Sequence, residues 1–229
     1  RVLFSGIKLG EYFHVNQLWN AMMPDRNNEL RHHGTYAVDD WIFNVQRKAK
    51  YRMEVICFGD SNTYGYDPRG YFGGRYDADC RWVDILAVEN GWTIFNMAQN
   101  GREIPTAATA FPADTDLLII MLGTNDLLQG RSPEQAAERL ERFLSGISLD
   151  RNKILLVAPP PMAMGEWVPR PQLIDDSRTF AQLCQTLAER LGARFADAGK
   201  WDIPLAYDGV HFTEQGHKAF AAGLLEELK

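Results

Sequence analysis

Glu54-Val55-Ile56-Cys57-Phe58-Gly59, followed at once by Asp60-Ser61-Asn62, is the stretch on which the fold turns. A short, largely apolar run ending in glycine reads as a strand buried on both faces, as in a parallel sheet. Working outward, the same kind of run recurs. Thr93-Ile94-Phe95-Asn96-Met97 reads as a second strand, Asp116 to Leu122 as a third, Lys153 to Ala158 as a fourth and Arg194-Phe195-Ala196-Asp197 as a fifth. Helical spacing lies between them: Arg81 to Asn90 with Gly91 as its stop, a helix to about Ser145, Gln172 to Leu191, and a last helix from the Thr213 cap to Leu228. Ser132-Pro133-Glu134-Gln135 is a capping box with proline at the first helical position. Strand and helix alternate from Met53 onward. The pattern predicts an α/β three-layer sandwich: a five-stranded parallel sheet whose right-handed crossovers put helices on both faces.

In such sheets ligands bind outside the carboxyl ends of the strands. Four polar blocks fall there: Gly59-Asp60-Ser61-Asn62, Asn100-Gly101, Gly123-Thr124-Asn125-Asp126 and Asp208-Gly209-Val210-His211. Topology alone therefore gathers them at one sheet edge. A serine hydroxyl is a poor nucleophile and needs an adjacent base. His211 can be that base, and Asp208, three residues earlier on a glycine-containing turn, can hold its Nδ1 so that Nε2 accepts the Ser61 proton. The Ser61 N–H, the Gly101 N–H and the Asn125 amide are three candidate donors to an oxyanion. Asp60 and Asp126 are expected to hold these loops by hydrogen bonds. Taken singly, Ser61 reads as a helix cap, Asn100-Gly101 as a turn and a lone histidine as a surface or core residue. The order and placement of the four together favour acyl-transfer chemistry. His217 lies inside the last helix without a suitably placed acid and is expected on the surface. His32-His33 alone is no metal site, and no metal or cofactor is expected.

The 229 residues suit one α/β domain, 53–229, behind an N-terminal extension, 1–52. The extension carries eight Lys and Arg against five Asp and Glu, a net of +3, and the remainder −9, within the chain's −6. An acidic body argues against a nucleic-acid partner. No apolar run approaches the ~20 residues that span a bilayer, so no membrane partner is expected. The first residues lack the apolar run and cleavage site of a signal peptide. With Cys57, Cys80 and Cys184 in no paired spacing, reduced thiols and a cytoplasmic location are expected. Glu11 to Met23 and Thr35 to Ala49 have amphipathic spacing, which suggests a surface appendage, a lid or an oligomer contact.

The blocks resemble those of the SGNH (GDSL) hydrolase family, whose name gives their Ser, Gly, Asn and His. Here these match Ser61, Gly101, Asn125 and His211, with Asp208 completing the family's triad. The resemblance covers roughly residues 53–228. The runs Cys57 to Gly65, Ile119 to Asp126 and Ala158-Pro159-Pro160-Pro161 are similar to arylesterase and acyltransferase members. It implies the flavodoxin-like SGNH hydrolase fold, a serine esterase acting on short acyl esters of aryl and simple alcohols, and some acyl transfer. Several such members are oligomers, so a homo-oligomer joins the small-molecule ester as an expected partner. The loops Arg75 to Cys80 and Pro159 to Pro171 would line the pocket.

Two alternatives stand beside this reading. A carbohydrate O-deacetylase of the same family would use the same groups, and Tyr66, Tyr71 and Trp167 could stack on a sugar as well as on an aryl ring. A flavodoxin-like phosphate- or nucleotide-binding protein would use the loop after the first strand. It gives no reason for Asn125 or for Asp208 with His211.

Overall fold

A computed structural model of the chain describes residues 53–70 and 74–229. The two amphipathic stretches expected within 1–52, and Tyr71, lie outside the described residues. Strands β1 (Glu54–Gly59), β2 (Thr93–Asn96), β3 (Leu117–Met121), β4 (Ile154–Ala158) and β5 (Arg194–Asp197) form one sheet in the order β2-β1-β3-β4-β5, every pair parallel. The helices are α1 (Ser61–Tyr64), α2 (Trp82–Asn90), α3 (Thr124–Leu128), α4 (Pro133–Ser145), α5 (Pro171–Leu191) and α6 (Glu214–Glu227), with short 3-10 turns at Arg151–Lys153 and Ala198–Lys200.

Side chains alternate across each strand, which divides the core into two layers of apolar contact. Ile56, Phe58, Leu118, Ile120 and Leu156 pack with Leu140, Phe143, Phe180 and Leu187 of α4 and α5. On the opposite face Val55, Cys57, Ile119, Met121 and Val157 pack with Trp82, Leu86, Phe220 and Leu224 of α2 and α6. The sheet is covered on both sides, which is why β3 and β4 could be continuous apolar runs with all five residues buried.

The strand order reverses between β1 and β3, the switch point at which α/β sheets open a crevice at their carboxyl ends. Helices α1 and α3 start immediately beyond β1 and β3, so both begin in that crevice. Ser132 caps α4 with the capping box in place: its hydroxyl accepts from Gln135 N–H while the Gln135 side chain accepts from Ser132 N–H.

Candidate active site

Ser61 is the first residue of α1, with Asp60 as the cap accepting the Asn62 N–H at 3.0 Å. Glycine at 59 serves space and not backbone angle: its φ is not positive, but a Cβ there would sit 2.1 Å from Thr63 Oγ1. The turn of α1 thus closes onto the end of β1 and delivers the Ser61 hydroxyl to the sheet edge.

His211 meets it from the far end of the chain. Its Nε2 lies 2.9 Å from Ser61 Oγ, and its Nδ1 lies 2.7 Å from Asp208 Oδ2. The second carboxylate oxygen of Asp208 accepts the N–H groups of Val210 and His211, both at 2.9 Å. Burial pushes the Asp208 carboxyl up, but the His211 ring bond and these two backbone bonds outweigh it and hold the group below its ordinary value. The side chain is thus an anion with both oxygens occupied, oriented on the imidazole. Serine and histidine are buried, with Ser61 7% and His211 1% exposed.

The loop from Ala163 to Val168 grips this turn with its main chain. The N–H groups of Ala163, Glu166 and Trp167 donate to the carbonyls of Gly209, Tyr207 and Asp208, at 2.9, 3.3 and 3.0 Å. A Cβ on Gly165 would lie 2.3 Å from the Asp208 carbonyl carbon, so the two backbones touch. Two aromatic rings flank the imidazole: Tyr66 at 4.7 Å and Trp167, edge-on, at 4.9 Å between centroids. The Arg75 to Cys80 segment contributes through Tyr76, whose hydroxyl donates to the Phe212 carbonyl at 3.2 Å.

Gly101 stands in a turn at φ +71°, a left-handed angle that glycine adopts without strain. Among the described residues neither its N–H nor that of Ser61 donates to a protein backbone acceptor. Asn125, half-buried in the first turn of α3, donates one amide hydrogen to the Arg102 carbonyl at 3.0 Å, and among the described residues the other has no acceptor. Asp126 beside it is fully buried and accepts the Ile104 N–H at 2.9 Å. Its Oδ1 has no well-aligned hydrogen bond but lies 3.2 Å from Arg139 Nη1 and 3.4 Å from Arg131 Nε, an ionic and not a directional contact. Burial raises the Asp126 carboxyl, opposed by the Ile104 bond and the two arginines. Glu103 bonds the same arginines, so residues 102–104 are fastened to α3 and α4.

Two residues gain roles that motif reading did not give them. Asn62 bridges the first and last blocks: its Nδ2 donates to Val210 O at 3.1 Å, and its Oδ1 accepts from Phe212 N–H at 2.9 Å. Removing that amide would leave two buried backbone groups unpaired, at about 1–3 kcal/mol each. His217 corrects the expectation of a surface residue. It is fully buried, its ring packed against Tyr76 and Phe212, and neither nitrogen has a partner among the described residues. Tyr76 comes from a distant loop, and no local spacing announces it.

The GDSL-like Lipase/Acylhydrolase family model matches residues 57–219. The chain belongs to that family. Among solved structures it is similar to the native M. smegmatis aryl esterase, with 27% identity, TM-score 0.63, covering 77% of this chain and 98% of that one. A putative arylesterase from Agrobacterium tumefaciens aligns at 29% identity and TM-score 0.62 over 77% and 98%. A carbohydrate acetylesterase family member from Sinorhizobium meliloti aligns at 25% identity and TM-score 0.65 over 77% and 97%. No individually curated protein sequence matches. The fold is that of SGNH hydrolase structures, and membership makes the chain a carboxylic ester hydrolase. The phosphate-binding alternative leaves the Ser61–His211 contact without a purpose. Among the described residues, no helix is long and apolar enough to cross a membrane.

Proposed function

We propose that this GDSL-family esterase works through a covalent acyl-enzyme on Ser61, with His211 as base and Asp208 as its orienting anion. The observation that carries the reading is the unbroken line from Asp208 Oδ2 through His211 to Ser61 Oγ, at 2.7 and 2.9 Å. Ser61 Oγ bonds to the ester carbonyl carbon as its proton passes to His211 Nε2. The tetrahedral oxyanion accepts from the Ser61 and Gly101 N–H groups and the free Asn125 amide hydrogen. Collapse breaks the bond to the leaving alcohol, which takes the proton from Nε2. Water then attacks the acyl carbon, giving its proton to His211, and the second collapse returns that proton to Ser61 and frees the acid. An alcohol acceptor in place of water gives acyl transfer by the same steps.

Short acyl esters of aryl and simple alcohols are the proposed substrates. Support comes from the Tyr66 and Trp167 rings beside His211 and from the aryl esterase relatives. The acetylesterase relative keeps acetylated sugars as the competing substrate. A cytoplasmic location is part of the proposal, supported by three free thiols; activity found only in a secreted fraction would overturn it.

The test is direct. A fluorophosphonate should label wild type on Ser61, and Ser61→Ala and His211→Ala should each lower p-nitrophenyl acetate turnover by about 10³-fold or more in folded protein. Retention of more than about a tenth of the activity in Ser61→Ala would sink the mechanism. A higher kcat/KM on acetylated xylose than on phenyl acetate would favour the deacetylase.

A further inference from the structure

The three candidate oxyanion donors follow separate strands, β1, β2 and β3, yet one residue touches the support of each. Arg102 directly follows Gly101. Its Nη1 donates to the Gly59 carbonyl at 3.1 Å, two residues before Ser61, and also to the Met97 carbonyl. Its Nη2 reaches Gln99 Oε1 at 3.4 Å, and the guanidinium lies 4.2 Å over the Phe58 ring. Its own carbonyl accepts the Asn125 amide at 3.0 Å. The segment that follows is fixed as well, since Arg139 donates to the Ile104 carbonyl and Asp126 accepts the Ile104 N–H.

We propose that Arg102 is a positioning residue that sets the Ser61, Gly101 and Asn125 donors at fixed separations around the oxyanion. The inference rests on the acyl-transfer reading above. The side chain ties the end of β1 to the turn bearing Gly101, and the main chain ties that turn to α3. Distances between donors decide how well a tetrahedral oxygen is held, and small displacements cost rate without costing ground-state binding. The work suits arginine in particular. Its rigid fork offers several N–H directions to several carbonyls while the flat face rests on Phe58; lysine offers one flexible ammonium. A residue that served stability alone would need none of this convergence on the donors.

The experiment compares wild type with Arg102→Met, Arg102→Lys and Arg102→Ala on p-nitrophenyl acetate. We expect kcat to fall by about 10- to 100-fold in Arg102→Met and Arg102→Lys, with KM within about threefold of wild type. Inhibition by phenylboronic acid, whose adduct with Ser61 imitates the tetrahedral state, should weaken by a similar factor. Added methylguanidinium should restore part of kcat in Arg102→Ala and leave wild type unchanged. A kcat within about twofold of wild type in Arg102→Met, a loss confined to KM, or a loss that merely follows the folded fraction would overturn the proposal. Should Arg102→Met fail to fold, Arg102→Lys, which keeps the positive charge and lacks the fork, carries the same comparison. The underlying reading fails separately: wild type would then neither take up fluorophosphonate on Ser61 nor turn over the ester. If wild type does both while Arg102→Met is unaltered, only the Arg102 proposal falls.

Discussion

Asn125 has two amide hydrogens and, among the described residues, one acceptor, the Arg102 carbonyl at 3.0 Å. That contact fixes the side chain's direction, and in the proposed mechanism the second hydrogen meets the charge that exists only in the tetrahedral state. Asn125→Ala should therefore lower kcat by about 10²–10³ with KM little changed, the loss typical of one oxyanion donor. Steady-state kinetics on a small aryl ester checks it, and a loss carried mainly by KM would make Asn125 a binding residue. Asp208 shows the same economy. Three N–H donors, one from the ring and two from the backbone, meet its two oxygens, and they hold it ionised despite burial. Because its folded value is lowered, this stabilisation is present above about pH 4 and is lost as pH falls further.

At the level of elements, α6 carries a feature with a consequence for pH. Burial, helped by Arg81 and His211, pushes the His217 imidazole down to about 3, and the ring sits between Tyr76 and Phe212. Above about pH 6.5 folded and unfolded chains are both neutral there. Below it the unfolded chain takes up a proton that the folded chain refuses, so stability falls by ~1.4 kcal/mol per pH unit down to about pH 3. Asp60, raised by burial to about 6, acts in the opposite sense, destabilising the fold as pH climbs from about 4 to 6. The difference between wild type and His217→Phe isolates the imidazole. Between pH 7.5 and 5.0 the variant should lose about 2 kcal/mol less unfolding free energy in urea, and equal losses would refute this. The elements legible in the chain are those with local signals: the Ser132 box, the Gly91 stop, the apolar runs of β3 and β4. Helices α1 and α3, four and five residues long, are too short to show a period in the sequence. The Asn62 bridge and the burial of His217 join residues far apart in sequence, which spacing does not encode.

Across the whole chain, the groups assigned to the chemistry all fall between Gly59 and His211, and the five strands and the helices on both faces of the sheet described above all come from residues 54–227. Removal of residues 1–52 should therefore leave p-nitrophenyl acetate turnover largely intact, with effects confined to solubility, assembly or bulky-substrate selectivity. Loss of turnover in a deletion variant shown by circular dichroism to be folded would show that the extension completes the site. The 163–168 loop carries a different lesson about how such a molecule can change. It is fastened to Tyr207, Asp208 and Gly209 through its own peptide groups, while Met164 and Trp167 stand 56% and 46% exposed. A loop anchored in that way separates heritable variation from function-critical geometry: positions 164, 166 and 167 are open to drift or to a randomised library that retunes which alcohol approaches Ser61. Gly165 alone, pressed against the Asp208 backbone, would be the letter that neither selection nor a designer can rewrite.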